Sequence, residues 1–385
     1  MDVTINREVL ARELGLARRL AERKATLPVH RYALLDARPD GEVFVSANDG
    51  DAALTTAIRG DVNVPGRVLV PVAMLHEMAR AAMADAVQLR IDGTKVAVRA
   101  GGYTSKLQVA SIDDYQPPPA WPVDVPAIEL SAAVVREAFI KTRFVAETAT
   151  KSGLNYYLHG ALLRIEPDRL EVVTTDGRRL AHVAAAIAAP AASRIILPRR
   201  GMDDLLALLG LEDVPETVRY ARDNDRAFFD VGHRRFVTRV IDAQFPRYER
   251  VVPPDGDNVA DIERDVLVGA LRRVMLVATD TSKRTDVAVG DNRVTFTMRT
   301  PDVGDAEESV PALVTGAWAS AFDAQVLAEF LAVVDAGAIR FNQESSTKAA
   351  KFVAHSEHTV YTYVAMPMVA ASPAPAAVPA AAAAE

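Results

Sequence analysis

Val3-Thr4-Ile5 leading into Val9 to Ala21, Ile128-Glu129-Leu130 leading into Val134 to Ala146, and Ile262-Glu263-Arg264 leading into Leu267 to Ala278 are one pattern written three times. In each, a short alternating stretch, the mark of a half-buried strand, gives way to apolar residues at helical spacing. The starts lie about 125 to 135 residues apart, an ordinary domain size. Each segment then repeats the theme. Arg67-Val68-Leu69-Val70-Pro71 precedes Met74 to Ala84, Ile195-Ile196-Leu197-Pro198 precedes Met202 to Leu209, and Ala319 to Phe322 precedes Val326 to Val334. Period-two runs follow, such as Val87 to Ile91 and Lys95 to Arg99, joined by the turn pair Asp92-Gly93. The spacing therefore predicts an α+β chain of three repeated domains, each with two helices packed on antiparallel sheets, at residues 1–122, 127–253 and 257–368.

The joints agree with that division. Pro117-Pro118-Pro119, Trp121-Pro122 and Pro126 mark the first, and Pro253-Pro254-Asp255-Gly256 the second. Proline fixes φ and removes a backbone donor, so both read as extended linkers. Residues 369–385 are almost wholly Ala, Pro and Val, with prolines at 373, 375 and 379, and read as a disordered tail.

Composition narrows the function classes. Half of the residues are apolar, and there is no cysteine, which excludes disulfides, thiolate metal sites and a cysteine nucleophile. With no basic-then-apolar leader and no long uncharged apolar run, a cytoplasmic protein is expected. The 44 basic and 51 acidic residues leave a net charge of -7, against a protein that coats nucleic acid with its whole surface. Lys and Arg collected on one face would still permit DNA contact.

Enzyme readings find little support. Gly60 to Gly66 lacks the spacing and the lysine of a phosphate-binding loop, and no nucleophile elbow is present. His355 and His358 flank Glu357 in strand-like sequence, without the helical two-histidine spacing of metalloproteases. Thr174-Thr175-Asp176-Gly177 sets a hydroxyl beside a carboxylate, but Asp-Gly is foremost a turn. No cofactor and no metal is expected.

Five strings in order carry a resemblance: Asn155-Tyr156-Tyr157-Leu158-His159-Gly160, Thr174 to Ala181, Leu197-Pro198-Arg199-Arg200-Gly201, Phe245-Pro246-Arg247-Tyr248-Glu249-Arg250-Val251, and Tyr363-Val364-Ala365-Met366-Pro367-Met368. Together they resemble the DNA polymerase III beta subunit family, the bacterial replication sliding clamps, over residues 1–368. The resemblance implies half of a head-to-tail dimeric ring, with helices around the hole and sheets outside. It also implies a non-catalytic processivity factor. Its expected partners are double-stranded DNA held without sequence preference, the replicative DNA polymerase catalytic subunit, an ATP-driven clamp loader and other clamp-binding repair and replication proteins.

It further implies three sets of residues. For DNA these are Lys24, Arg80, Tyr156, Tyr157 and Arg200. For client peptides they are Leu158, Thr175, Gly177, Arg178, Arg179, Leu180, Pro246, Arg250, Val251, Val326, Val364, Met366, Pro367 and Met368. For the dimer interface they are Leu107, Val109, Leu276 and Val277. Read on composition alone, the helix-borne cations, among them Arg18, Arg19, Arg23, Arg136, Lys141, Arg143, Lys151, Arg272 and Arg273, are either solvated faces or phosphate contacts. Met366-Pro367-Met368, without the resemblance, would more often be a core strand ending at a proline. The last helix carries Glu329 and no basic residue, so an uneven lining is expected. The rival to a clamp is a non-ring DNA-binding scaffold built from the same modules.

Overall fold

The computed structural model describes residues 1–21, 27–147, 156–280, 283–335 and 337–368. Lys24, Arg23, Lys151 and the Ala/Pro tail lie outside the described residues. The first segment contains β1 (Asp2–Asn6), α1 (Arg7–Ala21), β2 (Tyr32–Ala37), β3 (Glu42–Asn48), β4 (Ala52–Val64), β5 (Gly66–Pro71), α2 (Val72–Ala81), β6 (Ala86–Asp92), β7 (Lys95–Ala100) and β8 (Tyr103–Gln108). The second contains β9 (Ile128–Ser131), α3 (Ala132–Thr142), β10 (Gly160–Glu166), β11 (Arg169–Thr175), β12 (Arg179–Ala186), β13 (Ser193–Pro198), α4 (Arg199–Leu209), β14 (Thr217–Arg222), β15 (Arg226–Val231) and β16 (Arg234–Arg239). The third contains β17 (Val259–Glu263), α5 (Arg264–Val274), β18 (Arg284–Gly290), β19 (Arg293–Thr300), β20 (Gly304–Pro311), β21 (Leu313–Thr315), β22 (Trp318–Asp323), α6 (Ala324–Val333), β23 (Ala338–Asn342), β24 (Ala350–His355) and β25 (Thr359–Ala365). The order strand, helix, four strands, helix, three strands recurs in all three, the third adding only the short β21. Among the described residues no helix is long and apolar enough to cross a membrane.

Most helices begin two or three residues before the apolar periodicity does. Asn6 Oδ1 accepts from the amides of Glu8 and Val9 at 3.0 and 3.1 Å, Ser131 caps α3 through the amide of Val134, and Asp323 caps α6 through that of Gln325. Pro71 and Pro198 stand directly before α2 and α4. Each strand thus passes into its helix with no loop between.

By contact the chain divides into two units, residues 1–176 with 182–245, and Gly177–Ala181 with residues 246–385. In the first unit, β8-β7-β6-β1-β4-β16-β15-β14-β9 run as one hydrogen-bonded path. The long β4 makes this possible: Gly60 to Val64 pair with β1, while Ala52 to Thr56 pair with β16, in register Thr56 to Arg234. Helix α1 packs on α2 and touches α4, which packs on α3, so four helices form a layer over the sheets.

At the β4–β16 seam lies a fully buried ion pair. The guanidinium of Arg234 donates to both oxygens of Glu13 at 2.8 and 2.5 Å and to both of Asp213 at 2.9 Å, while the Thr56 hydroxyl donates to Glu13 at 3.0 Å. Such an arrangement offsets the desolvation of two charges only because nearly every donor and acceptor is used. Glu13, Asp213 and His233 also have the spacing of a metal site. The guanidinium already holds both carboxylates there.

The first joint is pinned rather than free. Trp121 packs edge-on against Phe228, with the guanidinium groups of Arg219 and Arg235 at 5.2 and 5.1 Å from its ring. Upstream, Tyr115 is buried with Leu34 and Leu69.

In the second unit, β25-β24-β23-β17-β21 form one sheet and β20-β19-β18-β22 another. Beneath α5 and α6 lies an aromatic core, with Phe341 stacked on Phe352 at 4.6 Å and Phe330 on Tyr363 at 4.7 Å. The Pro253-Pro254 joint is held here as well. The buried Lys351 ammonium meets Asp255 at 2.5 Å, and the Asn342 amide donates to the carbonyls of Gly256 and Asn258.

Candidate functional site

The end of β25 is where most of the expected client residues come together. Gly177 has a left-handed φ of 84°, which turns the chain so that Arg178, Arg179 and Leu180 run beside that strand. The Met366 amide donates to the Arg178 carbonyl at 2.9 Å, and the Met368 amide to the Ala321 carbonyl at 2.7 Å. The Met-Pro-Met run is therefore tied down at both ends by its backbone. Its side chains are left outward, Met366 and Met368 being 53% and 41% exposed while Val364 is buried.

Arg179 forms the other wall. It donates to Glu329 of α6 at 2.5 Å, and Gln325 donates to the second oxygen of Glu329 at 3.1 Å. Burial works against the charge of Arg179, but Tyr363 and Glu329 outweigh it and hold the guanidinium pKa above its ordinary value. The Tyr363 hydroxyl donates to the carbonyl of Val326, so the half-buried Val326 is fixed on the same ridge. Beyond Met368 the surface continues as a groove of about 430 Å³, lined by Arg284, Ala288, Ala319 and Ala321 among others. A mostly apolar furrow with a few fixed polar groups suits a short peptide anchored by apolar side chains.

The other expected client residues are Pro246, Arg250, Val251, Leu158 and Thr175. Pro246, Arg250 and Val251 belong to the same unit, around the turn Tyr248–Arg250, with Val251 exposed. Leu158 and Thr175 belong to the first unit, Leu158 buried in the turn Tyr156–His159 and Thr175 closing β11.

Of the expected DNA residues, Arg80 and Arg200 lie on helices of the helical layer, and Tyr156 and Tyr157 in the turn Tyr156–His159. Arg200 is exposed at the start of α4, and Arg80 on α2 lies 3.9 Å from Glu77. Tyr156 is half exposed, and its hydroxyl donates to the carbonyl of Asp242 at 3.0 Å. Tyr157 lies beside it, the two rings 6.5 Å apart. Most cations of this layer meet carboxylates of the same layer: Arg18 pairs with Glu77, Lys141 with Glu137, and Arg143 with Asp203. Only the Glu137–Lys141 pair, four residues apart on α3, could be read from the sequence; the other two join different elements.

Among the strands that end a hydrogen-bonded sheet path are β8 and β20. Leu107, on β8, points into the covered face and is 3% exposed, while Tyr103 on the same strand is open to solvent. Val109 falls just beyond β8, its amide donating to the Thr94 carbonyl. Leu276 and Val277 occupy a 3-10 turn, not the end of α5 proper, and that turn packs against β20. Leu276 is 78% exposed there and Val277 half-buried. The acidic edge β20, with Asp305, Glu307 and Glu308, was not singled out in the sequence because its alternation is polar.

Comparison with known proteins follows this geometry closely. Family profiles of the DNA polymerase III beta subunit match all three segments: the N-terminal domain at residues 1–119, the central domain at 129–247 and the C-terminal domain at 249–369. The beta sliding clamp of Pseudomonas aeruginosa is 26% identical over 373 residues, covering 96% of this chain and 100% of the relative. That of Caulobacter vibrioides is 29% identical over 324 residues, covering 80% and 84%. The crystal structure of the Pseudomonas aeruginosa DNA polymerase III subunit beta superposes with a TM-score of 0.86 at 26% identity, over 96% of this chain and 100% of the other.

Proposed function

Because the chain belongs to the DNA polymerase III beta subunit family, we propose that two copies close into a ring around duplex DNA and tether the replicative DNA polymerase to it. The observation that carries this reading is the threefold repeat of one strand-helix order, matched by the family in every repeat. The chain is a processivity factor and not a catalytic subunit. The domain limits 1–122, 127–253 and 257–368, cytoplasmic residence, opening by an ATP-driven clamp loader and service to other repair and replication proteins are parts of the same proposal.

A ring needs little affinity for what it encircles. Phosphate contacts carry no sequence information and weaken steeply with salt, so retention comes from closure itself. Open edges at β8 and β20 support a head-to-tail dimer in which β8 of one copy pairs with β20 of the next, a heterologous contact that closes after one repeat. Asp305 and Glu307 disfavour pairing of β20 with itself, whereas β8 carries Lys106, paired with Asp92 at 2.6 Å in its own copy. Exposed Leu276 lies beside β20, where it would be covered. Leu276→Asp should therefore yield a folded monomer by sedimentation, with unchanged circular dichroism. A variant that remained dimeric would remove Leu276 from the interface.

The decisive experiment compares retention after loading on nicked circular and on linear DNA. The clamp should stay on circles through a high-salt wash and leave the same DNA within minutes of linearisation. Equal loss from both would support the non-ring scaffold instead.

A further inference from the structure

We propose that Asp203 and Asp204 are internal competitors of DNA phosphate, which occupy Arg143 and Arg19 and so keep the closed ring sliding instead of sticking. The inference rests on the clamp reading and concerns how strongly the helical layer grips the duplex.

Both carboxylates lie on α4, where α1 and the end of α3 converge on it. Asp203 Oδ1 accepts from Arg143 Nε at 2.5 Å, and the Asp203 carbonyl accepts from Arg19 at 3.4 Å. Arg19 Nε also stands 3.9 Å from Asp204. Arg143 and Asp203 keep between a third and a half of their side-chain surface in water, so theirs is a solvated ion pair that another anion can replace, whereas Asp204, 5% exposed, is fixed beside the half-exposed Arg19. A phosphate that takes Arg143 must displace Asp203 and then lie beside a carboxylate without its partner. The gain from releasing counterions is thereby partly cancelled by like-charge repulsion.

Arg136 and Arg200 provide the contrast within the same layer. Both are exposed, and among the described residues neither has a carboxylate partner. They can meet phosphate with nothing to displace, whereas Arg19 and Arg143 cannot. The layer thus holds two kinds of cation, and the acidic pair on α4 sets how many of them DNA can use.

The test titrates a short fluorescent linear duplex with the full-length dimer across a salt series. Asp203→Asn should tighten binding roughly fivefold at low salt, the equivalent of one exposed ion pair. It should also steepen the slope of log affinity against log salt by about 0.9 for each cation released. Asp203→Glu, which keeps the charge, should behave as wild type, and adding Arg143→Ala to Asp203→Asn should return the slope toward wild type. A merely structural Asp203 would change the melting temperature and leave the slope alone, and that result overturns the proposal. Retention of the wild type on nicked circles is measured in parallel. If it fails, the clamp reading itself is wrong; if it holds while Asp203→Asn leaves affinity and slope unchanged, only the competitor role is refuted.

Discussion

Replacing Met366 and Met368 together by Ala is expected to abolish stimulation of the polymerase while the dimer and its retention on circular DNA survive. Buried anchor residues at an interface each contribute about 2 kcal/mol or more, so losing both should weaken a bound client peptide at least about 100-fold. The fold should hardly notice. Both side chains are about half exposed and their backbone is held through Arg178 and Ala321, so truncation should cost about 0.5 kcal/mol or less. Methionine suits such a wall because its flexible thioether adapts to partners of different shape. Peptide titration, sedimentation and circle retention measured on the same preparation distinguish the outcomes. Dissociation of the dimer or a large drop in melting temperature would return the run to the core.

Arg234→Ala should be the most damaging single change to the first unit. Removing one partner of a buried pair leaves an uncompensated charge, which typically costs about 3–5 kcal/mol. The dependence on pH has a definite sign. Burial, the strongest influence on Glu13, pushes its carboxyl up, but Arg234, with Arg12 and Thr56, brings it below the ordinary range; Arg234 does the same for Asp213. In the wild type both contributions are complete above the unfolded carboxylate values of about 4. They are lost as pH falls through the lower folded values. Without Arg234 the largest of the lowering influences on Glu13 is gone and burial is opposed only by Arg12 and Thr56, so its pKa rises relative to the wild type and the deficit should shrink on acidification from pH 7 toward 5. Denaturant unfolding of wild type and variant at both pH values measures the difference. A deficit under about 1 kcal/mol, or one that did not shrink on acidification, would contradict this account. Replacing Glu13 and Arg234 together by Gln and Met should recover much of the loss, since the pair's removal takes both desolvation penalties with it.

The architecture was legible because it repeats. Strand and helix periodicities are properties of adjacent residues, and three copies of one order leave little freedom in topology. The helix starts were less legible: Arg199 and Arg200 form the first turn of α4 without adding to any apolar stripe. The joints were legible as proline-rich, but not as pinned, because nothing adjacent to Trp121 announces that Arg219 and Arg235 will enclose its ring. The client residues, the segment Arg178 to Leu180 and the Met-Pro-Met run among them, were named through the resemblance. Glu329 could not be given its role, since its partner Arg179 lies 150 residues earlier.

What the sequence determined by itself, then, is the repeated module, carried by short-range patterns of burial, and the family, carried by the likeness of a few short strings. What only the tertiary structure decided is which charges find each other. Glu13 and Arg234 are 221 residues apart, and Arg143 and Asp203 are 60. An ion pair depends on distance in space and on the water excluded around it, and neither quantity exists until the sheets have closed and the helices have been laid side by side.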